Sequence, residues 1–203
     1  MSYDKQLVAA KLRRWESFLN QYRLPAWEII PDLGLYMDQL VSLLRQYLDY
    51  LPPELKGEES ITAAAINNYV RTKIMPESVK KRYYRIHIAY LIIICTLKQG
   101  LSIALIQKLI PTGMPEEDFQ ALYSRFVERQ VLASAFFIEQ IRGVAGPILE
   151  HKDSSRFSTE NPDELIISAA IIGGLSRLLA EKLIVLENRD LSNGGDLEKF
   201  SGK

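Results

Sequence analysis

The stretch Ile86–Leu97, reading IHIAYLIIICTL, is apolar at almost every position. It is too long for an isolated strand, and a helix that is hydrophobic all round must be enclosed by other elements. This segment is expected to be the central core helix. The chain has material to enclose it, since 47% of its 203 residues are apolar. That length suits one large domain or two small ones. The longest apolar runs, Ile86–Cys95 and Leu165–Leu175, meet His, Lys, Arg or Glu well short of the roughly 20 residues a membrane-spanning helix needs. The beginning, MSYDKQLVAAKLRRW, has no apolar core of a secretory signal, so a cytoplasmic location is expected. The single cysteine, Cys95, lies inside the apolar run and reads as a small buried side chain.

Elements on either side follow from spacing. Val8, Leu12, Trp15, Leu19 and Tyr22 recur every three or four residues, which makes one stripe of an amphipathic helix. Pro25, Pro31 and Gly34 surround Trp27 and Ile29 in an ordered connection whose apolar side chains want burial. A second helix starts near Tyr36 with Leu40, Leu43, Tyr47 and Tyr50 or Leu51 in register, and Pro52-Pro53 stop it. Glu54–Glu59 is an acidic loop. After the central helix Gly100 is placed as a left-handed cap, and Ser102 starts a short helix with Ile103, Ile106 and Leu109 or Ile110 inward. The break Pro111–Pro115 divides residues 1–110 from a carboxy-terminal module, 111–190. Pro115 and three acids then open a long helix reaching Arg142. Its apolar positions include Phe119, Leu122, Tyr123, Phe126, Phe136, Phe137 and Ile141, too wide a face for a single neighbour. A loop over Gly143–Thr159 precedes a last helix from about Pro162 to Asn188, which carries Gly173-Gly174, and 191–203 is expected to be a disordered tail.

Function concentrates in residues 62–85, TAAAINNYVRTKIMPESVKKRYYR. Thr62 can cap a helix that three alanines favour, with Ile66 and Tyr69 inward and Asn67, Asn68 and Arg71 on other faces. Asn matches an adenine edge, and Arg a guanine edge or a phosphate. From Ser60 to Tyr90 the one acid, Glu77, faces six bases: Arg71, Lys73, Lys80, Lys81, Arg82 and Arg85. The chain as a whole is neutral, with 25 basic and 25 acidic residues, so this positive charge is focused. A solvated surface turn would also explain Lys80–Arg85. Pro76 with Val79, Tyr83 and Tyr84 suggests a small β wing over 74–85 behind a recognition helix over 62–73.

The order Thr62, Ile66-Asn67-Asn68-Tyr69-Val70-Arg71, Ile74-Met75-Pro76, Lys81-Arg82-Tyr83-Tyr84 and Leu97-Lys98-Gln99-Gly100-Leu101-Ser102-Ile103 resembles the DNA-binding half of MerR-type regulators. Leu35-Tyr36-Met37-Asp38-Gln39, with Ile66–Val70 and Lys81-Arg82-Tyr83, more closely resembles the family called domain of unknown function 1836. The likeness covers about Leu24–Leu109. It departs from the MerR pattern at Asn67, where Arg is usual, and in the charged loop that replaces the tight turn before the recognition helix. The resemblance implies an all-α, mainly helical fold with a MerR-like winged helix-turn-helix. The implied DNA contacts are Thr62, Asn67, Asn68, Arg71, Lys73, Lys80, Lys81, Arg82, Tyr83 and Arg85.

The sequence has no phosphate-binding glycine loop, no Cys or His cluster at metal spacing and no nucleophile elbow, so neither catalysis, nor a cofactor, nor a metal is expected. His87 and His151 are far apart; His87 reads as a hydrogen-bonded structural residue rather than a phosphate ligand. The expected function is a sequence-specific transcriptional regulator of double-stranded DNA, a homodimer through its carboxy-terminal helices. The alternative is a helical protein-interaction adaptor whose basic segment meets acidic side chains.

Overall fold

Helix α4 (Arg85–Leu97) buries every residue from His87 to Cys95, as its sequence requires. The computed structural model describes residues 5–48, 61–150 and 159–161, with single positions at 165, 172, 173, 176 and 177. The expected acidic loop, last helix, Gly173-Gly174 approach and tail lie wholly or mostly outside these residues. The elements before α4 are α1 (Lys5–Gln21), a 3-10 turn at Trp27–Ile29, α2 (Met37–Tyr47) and α3 (Ala63–Arg71). After it come α5 (Ile103–Leu109), α6 (Glu116–Val144) and α7 (Gly146–Leu149). The described residues are mainly helical and contain no β-strand, only two isolated bridges, Leu35 with Tyr83 and Val79 with Arg82.

Helices α2, α5 and α6 pack on α4, and α3 packs on α2. Tyr36 caps α2, its backbone N–H donating to the Gln39 side chain at 3.0 Å. The inward face of α2 is Leu40, Leu44 and Leu48; Leu43 and Tyr47 are only half-buried and Tyr36 is exposed, one step round from the expected stripe. In α5 the open choice resolves to Ile110, since Leu109 faces out. Gly100 is not left-handed; the one described glycine with positive φ is Gly113. Trp27 and Ile30 are buried while Ile29 is exposed, because the 3-10 turn rotates them apart.

The core does not stop at the Pro111–Pro115 break. Phe119 and Tyr123 of α6 are fully buried in the cluster that holds α2, α3 and α4. The Phe119 ring stacks on Tyr90, 3.9 Å between centroids, and meets Trp27 edge-on at 6.1 Å. Tyr123 Oη donates to the Pro25 carbonyl at 2.8 Å. A second, smaller cluster, Ala9, Ala145, Ile148 and Leu149, joins α1 to α7 at the other end of α6. There Arg142 pairs with Glu16, and Arg13 donates to the Leu149 carbonyl. Of the expected loop over Gly143–Thr159, Gly143 and Val144 continue α6, and Gly146–Leu149 form α7 after a bend at Ala145. No described helix is long and apolar enough to cross a membrane. No described group of three His, Cys, Asp or Glu is arranged to hold a metal ion.

Candidate nucleic-acid interface

Thr62 caps α3 as its sequence suggests, Oγ1 accepting from the Ala65 amide at 3.1 Å. Ile66 and Tyr69 point into the core, which turns Asn67 and Arg71 to solvent. Asn68 is half-buried, and its Oδ1 accepts from Arg71 Nη2 at 2.7 Å. That bond extends Arg71 along the helix surface while leaving its other guanidinium donors open.

The end of α3 shows how backbone and charge are combined. The Lys73 amide donates to the Val70 carbonyl and the Ile74 amide to the Tyr69 carbonyl, at 3.0 and 3.1 Å. This bond pair terminates a helix through a left-handed residue, usually glycine. Here that residue is Lys73, with φ of 55°. The same choice recurs in the segment expected to be a wing. Val79 and Arg82 exchange both backbone hydrogen bonds at 3.0 Å around Lys80 and Lys81, whose φ angles are 50° and 61°. Positive φ at both central residues is the pattern of a type I′ hairpin turn, for which Asn-Gly is the low-energy sequence. A non-glycine residue in this region costs about 1–2 kcal/mol. Lys73, Lys80 and Lys81 are exposed, and they are three of the four described non-glycine residues with positive φ.

Three of the expected site residues are committed to packing. Tyr83 is 5% exposed; its bridge to Leu35, two bonds of 2.9 Å, turns the ring inward against His87. Its ring has no face to offer a base. Arg82 donates to the Gly34 carbonyl at 3.1 Å and to Tyr36 Oη at 2.7 Å. Arg85 donates through Nε to the Ile30 carbonyl at 2.9 Å, while its backbone N–H donates to the Asp32 carboxylate at 3.2 Å. Asp32 thus supplies an acid to the positive end of the α4 dipole, a contact invisible to local sequence reading. His87 is buried: Nδ1 accepts from the Tyr84 amide at 3.0 Å. Nε2 must then carry the proton it donates to the Glu77 carbonyl at 2.8 Å, which anchors the stretch leading to the hairpin. The residues left at the surface are Asn67, Arg71, Lys73, Lys80 and Lys81, with Asn68 behind Arg71 and Thr62 serving as the cap.

No curated protein and no solved structure matches this chain. One family model, described as Domain of unknown function (DUF1836), matches residues 25–126. The span begins two residues before Trp27 and ends three after Tyr123, whose rings lie 5.9 Å apart in the main core. It takes in α2 to α5 and the first part of α6. The chain belongs to the DUF1836 family.

Proposed function

We propose that this protein is a sequence-specific DNA-binding transcriptional regulator, built as a MerR-like winged helix-turn-helix. Helix α3 enters the major groove and the 79–82 hairpin lies along the neighbouring phosphates. The observation that carries the reading is the placing of Lys73, Lys80 and Lys81 at left-handed backbone positions. Glycine or asparagine there would relieve strain, whereas lysine brings a cation to each of these turns. Backbone strain of this kind gathers at sites of function. Arg71, steadied by Asn68, and exposed Asn67 supply donors and acceptors suited to guanine and adenine edges.

The test begins with recovery of genomic DNA fragments bound by the full chain, followed by titration on the recovered duplex at several salt concentrations. Asn67→Ala should weaken the preferred duplex by about 1–3 kcal/mol and leave random DNA little changed. A protein that enriches no fragment and shows no salt-dependent duplex binding would rule the reading out.

The adaptor reading is favoured by one observation. Ile29 and Leu33 are exposed, and the same segment contributes Pro31 and Leu35 to a shallow hollow of about 530 Å³ completed by Asp38, Gln39, Ser42, Leu43 and Gln46. If that surface is the functional one, Leu33→Ser abolishes partner capture while Lys80→Ala and Lys81→Ala do nothing.

A further inference from the structure

Helix α6 carries a line of residues that the other described elements leave open. Arg125, Leu132 and Glu139 follow one another at seven-residue spacing, and all three are exposed. Seven residues bring a helix back to within about 20° of the same direction, so the three share one stripe. Leu132 is 60% exposed, and Phe136, one turn further on, is 62% exposed. The other side of α6 is used: Phe119, Tyr123 and Ile138 are buried, and α1, α4 and α7 pack along it. Arg125 and Glu139 make no ion pair with any described residue, and the same is true of Glu128 and Arg129 on the same face. Here a helix face presents large apolar groups at its centre and unpaired charges of opposite sign at equal distances on either side.

That symmetry selects an occupant. A second copy lying parallel would set Arg125 against Arg125 and Glu139 against Glu139, which is repulsive at both ends. A second copy lying antiparallel, with the two-fold axis at Leu132, sets Arg125 of each chain against Glu139 of its mate. It also sets Leu132 against Leu132 and brings Phe136 beside Arg129 of the other chain. Such an interface is isologous, so each favourable contact occurs twice. Flanking charges decide orientation in helix pairs of this kind. Ala135, about 60° round the helix from Leu132, is small and exposed and does not obstruct the approach of a second helix. We infer that the exposed face of α6, from Arg125 to Glu139, is the contact between two antiparallel copies of this chain, centred on Leu132. The inference uses the charge pattern and burial of α6 alone and stands apart from the DNA-binding reading.

The test is the mass of the full chain in solution by light scattering, with charge reversals. The wild type is expected to be a dimer at micromolar concentration. Arg125→Glu and Glu139→Arg should each shift it to monomer, because each puts like charges at both ends of the contact. The double variant Arg125→Glu/Glu139→Arg should return to dimer, since exchanging the signs restores both pairs. An independent readout uses Leu132→Cys: Cys95 is buried, so mild oxidation should link two chains through position 132. Ala121→Cys, far from the axis, should not link. A monomeric wild type, as expected if another part of the chain or an unrelated protein covers this face, would overturn the inference. So would a dimer indifferent to both reversals, or a dimer that Leu132→Cys fails to link.

Discussion

Gly34 and Arg82 approach so closely that a Cβ on the glycine would stand 2.8 Å from Arg82 Cδ and 3.1 Å from its Cβ. The glycine carbonyl accepts from Arg82 Nη1, and the guanidinium lies 4.4 Å above the Tyr36 ring. This contact fastens the far arm of the 79–82 hairpin to the start of α2. Gly34→Ala should displace Arg82 and destabilise the fold by about 1–3 kcal/mol, the range for overpacking. Thermal unfolding measures the loss, and hydrogen exchange should quicken first at the Arg82 and Tyr83 amides. An unchanged melting temperature would show that the hairpin is held by other contacts.

The left-handed lysines separate charge from strain. Replacing Lys80 or Lys81 by Ala removes a cation and keeps the unfavourable φ, so stability should stay within about 0.5 kcal/mol. Replacing either by Gly also relieves the backbone, and stability should rise by about 1 kcal/mol. Both kinds of variant should bind duplex DNA more weakly and flatten the slope of log K against log salt by about 0.9 for each lost phosphate contact. Glycine variants that become more stable and bind as well as the wild type would remove the reason offered for lysine at these positions.

The stacking of Tyr90 on Phe119 makes the beginning of α6 part of the main core. Phe119→Ala should cost about 3–5 kcal/mol, the range for a fully buried ring. A chain cut after Ile110 would leave Trp27 and Tyr90 without Phe119 and Tyr123. It should show no cooperative thermal transition by circular dichroism. A cut chain that melts as sharply as the full one would contradict this.

Burial pushes the Cys95 thiol up from its ordinary 9.0 to about 12, against a smaller opposing pull from Lys98. Between those values the unfolded chain gives up the thiol proton and the folded chain holds it. Stability should therefore fall as pH rises past about 9. The buried Tyr90 and Tyr123 phenols, also raised by burial, steepen the fall above 10.0. In Cys95→Ala the first part of the decline should disappear, which denaturant titrations at a series of alkaline pH values would detect. Equal slopes for the two proteins between pH 9 and 10 would refute the assignment.

Local pattern was enough for the elements whose causes are local. Thr62 caps α3, the helix ends short of Pro76, and Ile86–Leu97 becomes the enclosed helix because each depends on neighbours a few residues away. Other features depended on partners far along the chain. Arg82 and Arg85 look like free cations until Gly34, Tyr36, Ile30 and Asp32, about fifty residues earlier, supply acceptors. Tyr83 reads as a surface aromatic until Leu35 pairs with it. The buried stripe on α2 lies one position from the expected one because Leu43, Leu44, Tyr47 and Leu48 support either register. The strained lysines left no local mark, since nothing in the pair Lys80-Lys81 announces positive φ; the missing clue was the bond exchange between Val79 and Arg82.

Helix α6 sits in both clusters, and between Pro115 and Gly143 it contains neither proline nor glycine. Kinks need such residues or a local bulge. The helix is therefore a rigid bar about 43 Å long at 1.5 Å per residue, clamped by Trp27, Tyr90, Phe119 and Tyr123 near one end and by α1 and α7 at the other. With its fulcrum at the aromatic clamp, a sideways push of 1 Å some twenty residues away tilts the bar by roughly 2°. Any force applied at α1 thus reaches α4 as torque rather than being absorbed at a hinge.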